Sequence, residues 1–352
     1  MTHEDEPEVP TLDLDELTAH LDRGWNLVQR GDLARAEVSA RHILDLEADS
    51  PEGHTLMGAI AAARGDIDEA LSHYERATEL DPEFVDPLLY AAELHLESAR
   101  DLDQAIALCG QALDLADEEE QYLDALLLKA EILLQKGDAT QARTTLGELP
   151  PSTTDLPEPV FHFRTGRLLL DLGEFESAES HLKKALERNE SMTDALHTLA
   201  LVYEQRGDLR AMAKTFLQVR QQDLKEPSPP WGVTAERFAE LAEQALTELP
   251  SEIRTLLANV PIHTADYPAL ELVAEGNDPR MMGFFTGIPY PEKNLLGGAP
   301  PHLDRVFLYQ RNVERYTRNS AELELEIRTT LLHETGHFFG LDEEQLEKMG
   351  LG

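Results

Sequence analysis

The residues best suited to chemistry lie near the C-terminus, where His333 and His337 are four positions apart in an apolar, helix-like run. Residues with this spacing share one face of a helix, so both imidazoles can reach one cation. Glu334 is rotated about 100° around the helix axis, so its carboxylate misses the cation and can reach a water bound to it. The spacing therefore predicts a zinc site that activates water, with Glu334 as the general base.

A third ligand is needed if the zinc site keeps its fourth position for water. Three acids, Asp342, Glu343 and Glu344, follow Gly340 directly after the helix-like run. We predict Glu343 as the third ligand, and Asp342 and Glu344 remain alternatives. The prediction is one zinc ion per chain, although iron or manganese also suits two histidines and a carboxylate.

One amphipathic helix is predicted to carry the two histidines over residues 320–339. Asn319 followed by Glu322 predicts a capping box at its start. Gly340 stands where the chain would leave the helix in a left-handed conformation. Apolar residues recur along one stripe at Leu323, Ile327 and Leu331. The helix would therefore bury one side and present the histidines on another.

The pattern His333-Glu334-x-x-His337-x-x-Gly340-x-x-Glu343 resembles the extended motif of the minimal zincins, a family of small bacterial metallopeptidase-like domains. The resemblance covers residues 233–352. These domains usually carry an aspartate at the third-ligand position, where this chain has Glu343. The resemblance implies a small α+β domain in which a zinc-bound water hydrolyses a peptide or related amide bond.

The rest of this domain is predicted from short apolar segments and helical periodicity. Helices are expected at 233–249 and 320–339, with a Gly- and Pro-rich loop at 289–301. Four segments are predicted as strands of a small sheet: 261–263, 270–273, 282–287 and 305–309. Candidate oxyanion donors are Tyr290, Tyr309 and Tyr316. Further polar candidates, each more typical of surface or paired residues, are His263, His302, Arg311, Arg315 and Arg318.

An internal repeat occupies the first two thirds of the chain. It consists of a Gly-Asp-like turn with an alanine five residues after the glycine, as in Gly65-Asp66 with Ala70. Successive turns are 34, 35, 37, 36 and 34 residues apart. A period near 34 is typical of tetratricopeptide repeats. The fold prediction is an N-terminal α-solenoid of about six such repeats, a right-handed superhelix with a peptide-binding groove, followed by the small α+β zincin-like domain.

Domain limits are predicted from composition. Residues 1–14 form an acidic tail expected to be disordered. The repeat array is assigned to 15–224, a Pro-rich linker to 225–232 and the zincin-like domain to 233–352. A Pro-rich excursion at 149–157 is expected within the array.

Composition excludes several classes of function. The net charge is −38, which argues against duplex nucleic acid or an anionic membrane as partner and favours basic peptides. The single cysteine, Cys109, rules out an internal disulfide and is expected to pack in a helix. A signal peptide and a membrane-spanning run are both absent from the sequence, so a cytoplasmic location is predicted.

Two functional hypotheses follow, and they belong to different classes. In the first, the chain is a zinc-dependent peptidase whose repeat array recruits a protein substrate or partner. In the second, it is a non-catalytic binding scaffold whose C-terminal domain holds zinc structurally or is degenerate. A fourth protein ligand would indicate structural zinc, whereas an open water position would indicate catalysis. A third hypothesis is that the motif binds no metal.

Overall fold

The computed structural model describes residues 14–98, 101–149, 156, 158–249, 251–288 and 304–349. The predicted tail, apart from Leu14, lies outside the described residues, as does the predicted loop at 289–301. The chain divides into two units, Met1–Ala185 and Leu186–Gly352. The domain limits predicted from composition remain predictions.

The first unit is a succession of paired helices. Their bounds are α1 (Leu14–Gln29), α2 (Leu33–Leu46), α3 (Pro51–Arg64), α4 (Ile67–Leu80), α5 (Asp86–Glu97), α6 (Leu102–Leu115), α7 (Glu119–Gln135), α8 (Ala139–Leu146), α9 (Pro159–Asp171) and α10 (Phe175–Arg188). The first helix of one pair also packs against the first helix of the next, as α5 does against α7. The prediction of a helical repeat array is therefore confirmed.

The Gly-Asp turns work as the sequence predicts. Gly65 has a φ of +84°, the left-handed conformation that ends a helix at low cost when the residue lacks a Cβ. At most of these turns the aspartate side chain then caps the next helix, as Asp138 does by accepting a hydrogen bond from the Gln141 amide at 3.0 Å, whereas the Asp66 side chain makes no cap hydrogen bond. One dipeptide thus stops one helix and starts the next.

Small residues bring the helices of each pair together. A Cβ on Gly58 would lie 2.5 Å from Cε1 of Tyr74, so only glycine fits at this approach. In the first five turns, the alanine four positions after the turn acid is fully buried: Ala36, Ala70, Ala105, Ala142 and Ala178. Cys109 is likewise fully buried, as predicted, and burial raises the pKa of its thiol to about 12.

The second unit contains the last repeat pair and the mixed C-terminal region. Its helices are α11 (Thr193–Gln205), α12 (Leu209–Asp223), α13 (Ala235–Glu248), α14 (Ser251–Leu257), α15 (Leu270–Ala274), α16 (Gln310–Arg315), α17 (Ser320–Phe338) and α18 (Glu343–Lys348). Its strands are β1 (Ile262–Ala265), β2 (Gly283–Thr286) and β3 (Arg305–Tyr309).

The described strands form one sheet in the order β1-β3-β2, with β1 parallel and β2 antiparallel to β3. The side chains of β3 alternate, and Val306 and Leu308 enter a core that also contains Phe238 of α13 and Ile327 of α17. The sheet therefore packs against α17, the helix that carries the predicted metal ligands, and β2 forms the edge strand beside it.

One predicted strand is wrong. Residues 270–273 belong to α15, a short helix. A four-residue segment with three apolar residues does not distinguish a strand from a partly buried helical turn. Val273 is the buried residue of this helix, and it packs against Met212 and Phe216 of α12.

A buried ion-pair network joins α12 to the residues that precede β2. Arg280 is buried and donates hydrogen bonds to the carboxylate of Asp223 at 3.0 and 3.1 Å. Arg315 donates to the same carboxylate at 2.8 Å, and Asp194 of α11 accepts from Arg280 at 2.7 Å. Asp223 is fully buried, so the last repeat pair supplies the counter-charge that Arg280 needs.

Across the described residues, every helix is too short or too polar to cross a membrane.

Candidate metal centre

The two motif histidines lie on one face of α17, and their Nε2 atoms are 3.0 Å apart. Glu343 begins α18, and its carboxylate oxygens lie 3.3 Å from Nε2 of His337 and 3.6 Å from Nε2 of His333. One ligand atom from each residue can be chosen so that all lie within 4.8 Å of one another. The structure thus brings together the three residues predicted as metal ligands.

These separations suit a small divalent cation. Zinc bonds to nitrogen and oxygen at about 2.0–2.2 Å in a tetrahedron, so neighbouring ligand atoms should be about 3.3–3.5 Å apart. The distances among His333, His337 and Glu343 scatter around this value. Two imidazoles and a carboxylate are also the donor set of catalytic zinc sites.

A backbone carbonyl fixes the orientation of His337. Its Nδ1 lies 3.1 Å from the carbonyl oxygen of Leu341, which can only accept a hydrogen bond. Nδ1 therefore carries the proton, and the lone pair of Nε2 is left for a cation. The carbonyl follows the turn at Gly340, whose φ of +82° confirms the predicted left-handed stop.

Close packing of α18 against α17 explains why Glu343 reaches the histidines. Gly336, between the two histidines, contacts Leu346 so closely that a Cβ would lie 2.3 Å from its Cδ2. Leu346 is fully buried, which seats α18 against α17. Asp342 caps α18 by accepting from the Gln345 amide at 2.9 Å.

Of the three acids left open by the sequence, Asp342 is thus occupied as a helix cap. The Glu344 carboxylate accepts from Lys348 at 2.5 Å, one turn along α18. Glu343 alone of the three belongs to the ligand group.

At the start of α17, Asn319 caps the helix as predicted. The Glu322 carboxylate accepts instead from the Arg318 amide at 2.7 Å, so the capping box is displaced by one residue.

Glu334 lies beside the ligands on the inner side of α17. It is 5% exposed, and its carboxylate accepts a hydrogen bond from the Phe285 amide of β2. Burial raises the pKa of Glu334 to about 7, while His333 and the Phe285 amide pull the pKa down. Gly283 makes this position possible, because a Cβ there would lie 2.7 Å from Oε1 of Glu334.

A cavity of about 420 Å³ opens onto these groups between α17 and β2. Its described lining residues are Met281, Met282, Gly283, Phe284, Phe285, Glu326, Thr329, Thr330, His333, Glu334, His337 and Glu343. No lysine or arginine is among them. Within the described part of the chain, the ligand group also has no fourth histidine, cysteine or acid. A cation held here would keep a position open toward the cavity.

The remaining sequence candidates have other surroundings. Tyr309 is buried at the end of β3, and burial together with the Glu334 charge raises its pKa to about 12. Tyr316 is largely exposed. His263 stacks on Phe307. Tyr290 and His302 lie outside the described residues. Arg311 forms an ion pair with Glu314, and Arg315 forms one with Asp223. The backbone amide of Arg318 donates to the Glu322 carboxylate.

Sequence reasoning missed the residues that support the site. Asn312 is fully buried and donates to the carbonyls of Pro279 and Met281 at 2.7 Å, which fixes the approach to β2. In the sequence, Gly283 is simply a glycine within an apolar segment, and nothing there indicates its contact with Glu334. Arg280 gave no signal, because its partner Asp223 lies 57 residues away in the sequence.

Family models of known proteins match both the repeat region and the C-terminal domain. A family model described as zincin-like metallopeptidase matches residues 257–352. Tetratricopeptide repeat models match 17–42, 51–84, 98–159 and 163–223. The chain therefore joins a tetratricopeptide repeat region at residues 17–223 to a zincin-like metallopeptidase domain at residues 257–352.

Individual relatives resemble the chain in part. It is 29% identical over 186 residues to cellulose synthase operon protein C of Xanthomonas axonopodis pv. citri, an alignment that covers 51% of this chain and 12% of that protein. The fold is similar to a chain of the APC/C Cut9–Hcn1 hetero-tetramer, with a TM-score of 0.50, 14% identity and coverage of 61% and 42% of the two chains. The pilF structure of Pseudomonas aeruginosa has a TM-score of 0.49 and 16% identity, covering 60% of this chain and 94% of that one.

Proposed function

We propose that the C-terminal domain is a zinc-dependent peptidase, or a hydrolase of a related amide bond. The observation that carries this proposal is the arrangement of three ligand atoms beside a buried carboxylate at an open cavity. His333, His337 and Glu343 would hold one zinc ion, and Glu334 would act on the water. A bound zinc ion would lower the pKa of a coordinated water toward neutrality and polarise the substrate carbonyl.

The chain's own residues have distinct roles in this proposal. The Glu334 carboxylate takes the proton from the attacking water and passes it to the leaving amine, as a general base and then a general acid. The Phe285 amide holds that carboxylate through a hydrogen bond, and Gly283 leaves room for it because it has no side chain. The Leu341 carbonyl keeps the Nδ1 proton on His337, so that Nε2 stays available as a ligand.

The lining of the cavity favours neutral or cationic substrates. Three carboxylates, those of Glu326, Glu334 and Glu343, are among the described lining residues, and none of these residues is a lysine or arginine. Two of them have roles at the metal, which leaves the Glu326 charge facing the substrate. Met281, Met282, Phe284 and Phe285 supply an apolar wall. We infer that peptides with apolar or basic side chains near the cleaved bond are preferred over acidic peptides.

The repeat array is proposed to bind a protein or peptide with basic residues. On α5 and α7, Asp86 and Glu93 each lie near Asp124; burial first, and then the Asp124 charge, raises the pKa of both, while Arg164, which pairs with Asp124, pulls the pKa of Glu93 down. Tyr90 lies on the same helix, 5.6 Å between ring centroids from Trp25 of α1. Carboxylates beside aromatic rings suit lysine and arginine side chains. The predicted cytoplasmic location remains a prediction.

The peptidase proposal is tested with the full chain and a diverse peptide library read by mass spectrometry. We expect cleavage by the zinc-loaded protein, loss of cleavage after chelation, and recovery when zinc is restored. Failure of zinc-loaded protein to cleave any library member would contradict the proposal and favour the binding-scaffold hypothesis. Lysine-for-glutamate pairs within the library test the charge preference at the same time.

A further inference from the structure

A second cluster with the same donor types lies in the first repeat. Glu16 and His20 are four residues apart on α1, and His42 faces them from α2. One ligand atom from each can be chosen so that all three lie within 4.8 Å of one another. Nε2 of His42 is 3.2 Å from Oε1 of Glu16, and the imidazole rings of His20 and His42 are 4.2 Å apart between centroids.

His20 has an unmet bonding requirement. Its Nδ1 is buried and has no hydrogen-bond partner among the residues that the structure describes. A buried polar atom in this state is costly unless something binds it. The cluster itself remains reachable, since the side chains of His42 and Glu16 are 39% and 48% exposed. A cation could therefore enter from solvent, and coordination through Nδ1 would give this nitrogen a partner.

Two other repeats show how the same position is satisfied without a cation. His54 and His162, like His20, stand twelve residues before the acid of their Gly-Asp-like turn. Each has its Nδ1 3.1 Å from Nδ1 of a second histidine on the following helix, His73 and His181 respectively. Both of these partners stand seven residues after the acid of the turn.

The first repeat breaks this pairing. The position seven residues after Asp32 is Ser39, which is too short to replace an imidazole. The second histidine is instead His42, three residues further along α2, where it meets Glu16. The first repeat has thus exchanged a histidine pair for two histidines and a carboxylate, which is a ligand set for a metal rather than a hydrogen-bonded couple.

We propose that Glu16, His20 and His42 form a second site for a divalent transition cation of the zinc type. Imidazole donors favour such ions over magnesium or calcium. Within the described part of the chain, no buried carboxylate stands beside this cluster as Glu334 does beside the other, so the site would hold its ion without hydrolytic chemistry. Its effect would be to tie α1 to α2 at the start of the array.

The test is zinc binding by the full chain, measured by titration against a chromogenic chelator. The C-terminal ligands are first removed with H333Q/H337Q, so that activity plays no part. We expect this variant still to bind one zinc ion per chain and to lose it when H20Q/H42Q is added. The matched control is H54Q/H73Q in the same background, which removes a histidine pair and should leave zinc binding unchanged.

Folding is controlled with E16Q/H42Q in the H333Q/H337Q background, because both side chains are partly exposed and their loss should leave the helices intact by circular dichroism. This variant should also lose the ion. The proposal is overturned if H333Q/H337Q binds no zinc at micromolar concentration. It is equally overturned if the zinc that remains is unaffected by either first-repeat variant.

Discussion

The two histidine clusters use the same donor types but differ in what surrounds them. At the C-terminal cluster, a carbonyl sets the proton of His337 and a glycine makes room for Glu334. At the first-repeat cluster, Nδ1 of His20 has no partner and no buried general base is present among the described neighbours. If both clusters bind a cation as proposed, ligand type would select the ion, and the contacts of the residues around the ligands would decide whether chemistry can follow.

The largest expected effect comes from removing the carboxylate that completes the C-terminal cluster. E343A should weaken zinc binding there by more than the roughly 10–100-fold typical of losing a supporting contact. E344A is the matched control, because Glu344 is paired with Lys348 and should leave zinc affinity unchanged. Competition with a chelator measures both variants. Equal losses in the two variants would remove Glu343 from the proposed ligand set.

The next effect separates positioning of the base from metal binding. In G283A the new methyl group would meet the Glu334 carboxylate and displace it, while the three ligands stay in place. A shift of about 1 Å in a catalytic group can cost about 100-fold in rate, so kcat should fall while zinc content is kept.

Gly110 of α6 provides the matched control for this variant, because a Cβ there meets nothing within 4 Å. G110A should leave hydrolysis unchanged. An unchanged kcat in G283A would mean that Glu334 does not depend on β2 for its position.

A smaller effect is expected where α18 packs on α17. Alanine in place of glycine inside a helix normally stabilises the helix by about 1 kcal/mol. In G336A, however, the methyl group would collide with Leu346 and move Glu343. Zinc affinity should fall about tenfold and recover in G336A/L346A, where the collision is removed. Wild-type affinity in G336A alone would show that α18 tolerates the shift.

A separate effect, on stability and not on the metal site, concerns the paired histidines of the array. Burial, with the Lys184 charge, lowers the pKa of His181 to about 4, whereas an unfolded histidine titrates near 6.5. The unfolded chain therefore binds more protons between these values, and the free energy of unfolding should decrease as pH falls from about 6.5 to about 4.

The contribution of His181 should be at most about 1.4 kcal/mol per pH unit and is fully present above pH 6.5. Urea unfolding of the wild type and H181Q at several pH values measures it. H181Q should flatten the pH dependence. An identical slope in the two proteins would show that His181 is already accessible to protons in the folded state.

Much of the fold follows from short-range patterns. The period near 34, the Gly-Asp turns and the buried alanines predict the repeat pairs, because each feature belongs to one helix pair and recurs in the next. The helix of the two histidines and its end at Gly340 are likewise predicted from short-range patterns. The strand prediction for segment 270–273 fails because three apolar residues among four carry no usable period.

The supporting contacts of the site depend on long-range packing, which a single sequence does not display. Asp223 is an ordinary helical residue until Arg280 and Arg315 converge on it. Gly283 matters only because Glu334 lies across the gap from it. The choice among Asp342, Glu343 and Glu344 likewise depends on which residue caps α18.

The central claim is tested most directly by measuring zinc content and peptide hydrolysis on the same samples of wild type and E334Q. Losing a general acid–base group should lower the rate by about 100-fold or more. The account predicts equal zinc in both proteins and loss of hydrolysis in E334Q. Hydrolysis by E334Q at the wild-type rate, with zinc bound, would contradict it.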